Sequence, residues 1–141
     1  MSEVDVEGSC LCGGVRYRAR GTVRGFYHCH CSRCRKATGT GHATNLMLQA
    51  AELEWLDGAE AVKSYRLPEA KRFRNNFCTR CGGPLPRDIE SLGVIVIPAG
   101  SLDGDLALRP EARIFLDSRA DWSCDDEPIP GYPRYQDTGR E

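Results

Sequence analysis

Alternation of apolar and polar residues is the strongest regular signal along this chain. Val15-Arg-Tyr-Arg18 sets hydrophobic against charged positions with period two, the pattern of a half-buried strand. Phe26-Tyr-His28 predicts a second strand segment running into the densest group of cysteines. Val62-Lys-Ser-Tyr-Arg-Leu67 and Lys71-Arg-Phe-Arg-Asn-Asn-Phe77 predict a pair of strands joined around Pro68. Val94-Ile-Val-Ile97 is a continuous β-branched run and predicts a buried central strand. Ile114-Phe-Leu116 predicts a last short strand. Only Gln49 to Leu56 carries helical propensity, and Gly58 would end that helix. Fifteen glycines and eight prolines cut the rest into short pieces, which suits a mainly β architecture of meanders. The tail from Asp121 to Glu141 contains Pro128, Pro130 and Pro133 without periodicity, and reads as an extended strap or a frayed end.

The length of 141 residues predicts one domain, 1–141, large enough for a real core. A net charge of −1 offers no excess of Lys and Arg to neutralise phosphates, which argues against a nucleic-acid partner. The first residues, Met1-Ser-Glu-Val-Asp-Val-Glu7, have neither the basic nor the apolar region of a secretory signal. No apolar run approaches the roughly 20 residues of a membrane span. These features predict a cytoplasmic protein, where closely spaced cysteines mean metal or catalysis more often than disulfides. Nothing in the pattern sets an oligomeric state.

Seven of the eight cysteines fall into three groups: Cys10-Leu-Cys12, Cys29-His-Cys31-Ser-Arg-Cys34 and Cys78-Thr-Arg-Cys81. Thiolates one or two residues apart reach one zinc at Zn–S distances of about 2.3 Å. Groups of two, three and two imply one four-coordinate site built from two pairs and one three-cysteine site with an open position. The closed site would be structural and the open one available for chemistry. A zinc ribbon joining Cys31 and Cys34 to Cys78 and Cys81 is the rival, although it strands Cys10, Cys12 and Cys29.

The ordered motifs resemble the glutathione-dependent formaldehyde-activating family. They are Gly8-Ser-Cys-Leu-Cys-Gly-Gly-Val15, then Cys29-His-Cys-Ser-Arg-Cys-Arg-Lys36 with Thr38-Gly39, then Phe77-Cys-Thr-Arg-Cys-Gly-Gly-Pro-Leu85. Ala99-Gly-Ser-Leu-Asp103 and Asp117-Ser-Arg-Ala-Asp-Trp122 look like that family's closing segments, so the resemblance spans about 8–135. It implies a β-tent fold, in which small antiparallel sheets lean together with two zinc ions at their seams. It also implies that Cys10, Cys12, Cys78 and Cys81 hold the structural zinc, and that Cys29, Cys31 and Cys34 hold the zinc associated with activity. Two departures stand out. Pro86-Arg-Asp88 occupies a stretch where the family usually continues with apolar or aromatic residues, and Cys124 matches no ligand position.

The activity implied is that of a carbon–sulfur lyase acting on a small-molecule thiol, glutathione, and a small aldehyde, formaldehyde. Three thiolates on Zn²⁺ leave a formal charge of −1, so the centre is a poor Lewis acid but can keep a further thiolate deprotonated. Glutathione carries two carboxylates, for which Arg33, Arg35 and Lys36 are the candidate partners, with a solvated charge cluster as the alternative. His30, between two candidate ligands, would orient a thiolate, relay a proton or point to solvent; His28 and His42 lean toward structural roles. Trp55 and Trp122 read as core or strap anchors. A non-catalytic zinc-stabilised module binding a protein partner would need a fourth protein ligand on the second zinc, such as Cys124 or a histidine. A redox role for Cys124 is opposed by Asp125, Asp126 and Glu127, which would raise its thiol pKa.

Overall fold

The computed structural model describes residues 2–123 and 129–136. In chain order the elements are β1 (Glu3–Ser9), β2 (Arg16–Cys29), α1 (Ser32–Thr38), β3 (Ala43–Asp57), β4 (Val62–Arg66), β5 (Arg74–Cys78), β6 (Pro84–Leu85), β7 (Arg87–Ile89), β8 (Val94–Pro98) and β9 (Ala112–Ile114). The larger sheet runs β1-β2-β3-β8-β7 through antiparallel neighbours, and β9 pairs in parallel with the far end of β2. The smaller sheet is the meander β4-β5-β6. The fold is therefore mainly β, with antiparallel sheets, as expected.

Several strands lie where alternation puts them. Val94, Ile95, Val96 and Ile97 are all buried in β8, between β3 and β7. The β4–β5 hairpin turns through Pro68, with Leu67 N–H donating to the Phe73 carbonyl at 3.1 Å. The strand expected at Ile114–Leu116 is shifted: β9 ends at Ile114, and Leu116 begins a short 3-10 turn after Phe115, whose φ is +58°.

The helix expected over Gln49–Leu56 is instead the second half of β3. Ala51, Leu53 and Trp55 turn toward the core while Glu52 and Glu54 face out, a period of two that tertiary pairing enforces over Ala and Glu helix propensity. The opposing β2 supplies the partners. Tyr17 lies across from Trp55 and Ala19 from Leu53, and Arg20 meets Glu52 in a 2.8 Å ion pair. The same ladder continues into β1, where Arg18 grips Asp5 with two hydrogen bonds of 2.8 and 2.6 Å.

The core gathers where the sheets lean together, around Val15, Tyr17, Leu46, Leu48, Leu85 and Ile97. Cys10 and Cys78 belong to that same cluster, whereas Cys29, Cys34 and Ala43 form a separate small one with Phe73 and Ile114. Tyr17, fully buried, satisfies its hydroxyl on Ser101 Oγ at 2.6 Å. Trp55 packs edge-on to Tyr17 with ring centroids 6.3 Å apart, an anchor as expected, while Trp122 is 66% exposed. Residues 129–136 are exposed and carry no regular element. Cys124 lies outside the described residues, and no helix among them is long and apolar enough to cross a membrane.

Candidate functional site

The first thiol cluster ties the two sheets together. Cys10 and Cys12 sit in the turn between β1 and β2, and Cys78 and Cys81 sit in the turn that ends β5. Their four sulfur atoms all lie within 4.8 Å of one another. Cys10 and Cys12 Sγ are 3.6 Å apart, and Cys12 and Cys78 Sγ are 4.0 Å apart. A tetrahedron of sulfurs about 2.3 Å from a central zinc has edges of about 3.8 Å, so this donor set fits that ion. Backbone N–H groups aim at the sulfurs: Val15 at Cys10 (3.3 Å), Gly14 at Cys12 (3.4 Å), Arg80 at Cys78 (3.4 Å) and Gly83 at Cys81 (3.4 Å). The amides of Cys12 and Gly83 draw the Cys81 thiol down to a pKa of about 6, by stabilising its charged form.

The second cluster forms where β2 ends. Cys29 is the last residue of the strand, held by β9 through the Cys29–Ile114 register and by His30 N–H on the Ile114 carbonyl at 2.9 Å. Cys31 caps α1, its sulfur accepting from Cys34 N–H at 3.3 Å, and Gly39 at φ +73° closes the helix. The three sulfurs again lie within 4.8 Å of one another. A hydrogen bond from Cys34, reinforced by the charge of Arg87, draws Cys29 down to about 6, while the same bond and burial push Cys34 up. Two thiolates 4.8 Å apart repel by about 3.5 kcal/mol at an effective dielectric of about 20, so three of them require a cation at their centre. Cys78 and Cys81 group with Cys10 and Cys12, which rules out the zinc-ribbon pairing. Among the described residues no fourth ligand joins Cys29, Cys31 and Cys34.

One face of the second cluster opens on a cleft of about 790 Å³, a volume suited to a substrate-sized ligand. Cys29, Cys31 and Cys34 lie in its wall, Phe73, Ile114 and Phe115 add apolar surface, and Arg33, Lys71, Arg72 and Arg87 bring positive charge against the single carboxylate of Glu69. Of the three cations singled out in the sequence, Arg33 lines this cleft, whereas Arg35 and Lys36 do not. Lys71 and Arg72 come from the β4–β5 turn and Arg87 from the start of β7. Only spatial folding brings them here, and of the stretch around Arg87 the sequence shows only that Pro86-Arg-Asp88 stands where the family usually has apolar or aromatic residues. Arg87 stacks over the Phe73 ring at 5.4 Å; burial lowers its pKa, opposed by the charges of Cys34 and Cys29.

His30 does not point to solvent. It is fully buried, with its ring 5.1 Å from that of His42, which in turn lies 4.2 Å from His28. His28 Nδ1 is 2.9 Å from Thr44 Oγ1. The three imidazoles form a packed layer behind the second cluster, and none is among the residues lining the cleft.

The family model described as "Glutathione-dependent formaldehyde-activating enzyme" matches residues 5–118. A protein of Halomonas elongata that bears the name "Putative glutathione-dependent formaldehyde-activating enzyme" is 37% identical over 128 residues, covering 83% of this chain and 78% of its own length. A crystal structure of a Rhodobacter sphaeroides protein superposes with a TM-score of 0.56 at 22% identity, covering 76% of this chain and 98% of that one, a likeness of fold. With two thiol clusters that could hold metal ions and a cleft beside one of them, the chain belongs to the glutathione-dependent formaldehyde-activating family.

Proposed function

We propose that this chain is a zinc-dependent carbon–sulfur lyase that makes and breaks the bond between glutathione, or a similar thiol, and formaldehyde, or a similar small aldehyde. The observation that carries the reading is the three-thiol cluster set in the wall of a cation-lined cleft. Cys10, Cys12, Cys78 and Cys81 hold one structural zinc in this reading, and Cys29, Cys31 and Cys34 hold a second with room for one more ligand. Bound there, zinc would supply a thiophilic cation able to keep a substrate sulfur as thiolate at neutral pH.

The chain's own residues do the rest. Arg33, Lys71 and Arg72 offer the two carboxylates of glutathione charge-assisted partners. Phe73, Ile114 and Phe115 give its stem an apolar wall that thins the water around the sulfur. β9 and the cap of α1 fix the direction of the three thiols, so the geometry is in place before the substrate arrives. Reduced thiols on this scale fit the cytoplasm.

Calorimetry on the zinc-loaded protein tests the reading. Glutathione is expected to bind at least tenfold more tightly than S-methylglutathione, because alkylation removes the thiolate while leaving both carboxylates. Nuclear magnetic resonance exchange of glutathione with formaldehyde should run faster than the uncatalysed rate. Equal affinities together with background exchange would overturn the proposal in favour of a zinc-stabilised binding module.

A further inference from the structure

A second cavity, of about 260 Å³, adjoins the cleft and shares part of its lining. Cys34, Asn45, Phe73 and Arg87 face both spaces. At about 30 Å³ per water, the smaller chamber holds the equivalent of roughly nine waters, too little for a tripeptide and ample for a molecule of two to four carbons.

Its chemistry is one-sided. No Asp or Glu lines it, whereas Arg87 and His42 do. Among the described residues Arg87 has no carboxylate in an ion pair with it, in contrast to Arg16, Arg18, Arg20 and Arg80. Arg87 already faces the thiols of the second cluster on one side, yet no carboxylate meets it on the side of this cavity, and its planar fork, with more donors than the thiols use, matches a carboxylate there. Asn45, only 9% exposed, offers a carboxamide on the same shared wall with no hydrogen bond to a described residue. Two neighbouring hydroxyls are engaged: Thr38 Oγ1 donates to the Cys34 carbonyl at 2.8 Å, and Ser101 Oγ to the Pro98 carbonyl at 2.7 Å.

From this juxtaposition we infer that the small chamber is the aldehyde subsite, and that it selects a short aldehyde bearing a carboxylate. Arg87 holds the carboxylate, and Asn45 donates to the carbonyl oxygen. This rests on the reaction proposed above and adds to it a substrate class. In the forward step the thiol sulfur forms a bond to the carbonyl carbon, and the C=O π pair moves onto oxygen. That oxygen ends with the proton the thiol gave up, so a thiol and an oxo acid yield a hydroxy thioether acid without oxidant or reductant. The reverse step breaks the same carbon–sulfur bond.

The test uses zinc-loaded wild type, Arg87→Gln and Arg87→Lys, each checked for two zinc ions and a native circular-dichroism spectrum. Glutathione exchange is measured with glyoxylate, with glycolaldehyde (the same size but neutral) and with formaldehyde, each above its uncatalysed rate. The glyoxylate-to-glycolaldehyde ratio of kcat/KM is expected to fall at least tenfold in Arg87→Gln and to be partly kept in Arg87→Lys. Calorimetry with unreactive glycolate and glycolamide supplies a second readout: wild type should prefer glycolate about tenfold, and Arg87→Gln should show no preference. A uniform loss toward all three aldehydes, or a glycolate preference that survives Arg87→Gln, overturns the subsite. If none of the aldehydes exchanges above background, the lyase reading fails, while the glycolate comparison still decides whether the chamber holds a carboxylate.

Discussion

Replacing one cysteine in each cluster should have unequal consequences, and chain connectivity sets the difference. Cys78 is fully buried and belongs to the main core, and its partner Cys12 lies 66 residues away in sequence. Treated as a cross-link that constrains the unfolded chain, a closure of that length is worth about 4 kcal/mol. The second cluster closes only the short stretch from Cys29 to Cys34, a loop of about five residues worth about 2 kcal/mol on the same scale. Typical domains have a net stability of about 5–15 kcal/mol, so the first loss removes a large share of it and the second does not. Serine at position 78 also leaves three thiolates around a weakened centre against apolar surface, which adds to the cost.

Cys78→Ser should therefore lower Tm by about 12 °C or more, taking about 3 °C per kcal/mol for a chain of this size, and in the limit leave it unfolded. Cys34→Ser should remain folded, lose one zinc of two and fall by about half as much. Thermal melts by circular dichroism, paired with zinc counts from native mass spectrometry, measure both quantities. Equal destabilisation by the two substitutions would refute the division into a sheet-joining site and a cleft site.

Three further expectations follow from the geometry. Arg33→Glu should weaken glutathione binding about five- to tenfold in a calorimetric titration, whereas Arg35→Glu, which lies off the cleft, should change it less than twofold; the opposite order would misplace the thiol. Gly58→Ala should cost more than about 2 kcal/mol in urea unfolding, because φ is +73° and a Cβ would stand 2.1 Å from the Gly14 carbonyl oxygen; a neutral substitution would contradict that close approach. On acidification a zinc-sensitive dye should report two releases, the three-thiol site emptying at higher pH than the four-thiol site, since protons compete with fewer ligands there. A single release of both ions would show that the sites are coupled.

The sequence made the cysteine partition legible because metal ligation is mostly local chemistry. Each pair or triple lies within a few residues, and backbone amides at Gly14, Arg80 and Gly83 settle onto sulfurs of the same turn. What spacing could not decide was which pair joins which, and the sheets decide it. β5 runs antiparallel to β4 and delivers Cys78 beside the β1–β2 turn, away from α1. Strands with apolar–charged alternation were readable for the same local reason. β1, Glu-Val-Asp-Val-Glu, alternates too, with Val4 and Val6 turned toward the core and Glu3, Asp5 and Glu7 exposed. Around Glu52 and Glu54 the composition favours helix, and only the facing arginines of β2 show why the chain stays extended.

The substrate side of the site was far less legible, and its composition explains why. Arg33 is four residues or fewer from the thiols it accompanies, but Lys71, Arg72 and Arg87 come from a hairpin tip and a short edge strand that sequence places far from them. On a linear reading an arginine after Pro86 is one more surface charge. Folded, it sits against Phe73, behind Cys34, on a wall shared by two cavities. His30 reversed in the same manner: a residue between two ligands on a turn would normally face water, yet β9 covers that turn and buries the ring against His42. Metal chemistry is thus written in nearest neighbours, whereas specificity is written in contacts that cross from one sheet to the other. The substitution at Arg87, like that at Cys78, accordingly tests contacts between segments far apart in sequence, whereas those at Arg33 and Cys34 test the local chemistry around α1.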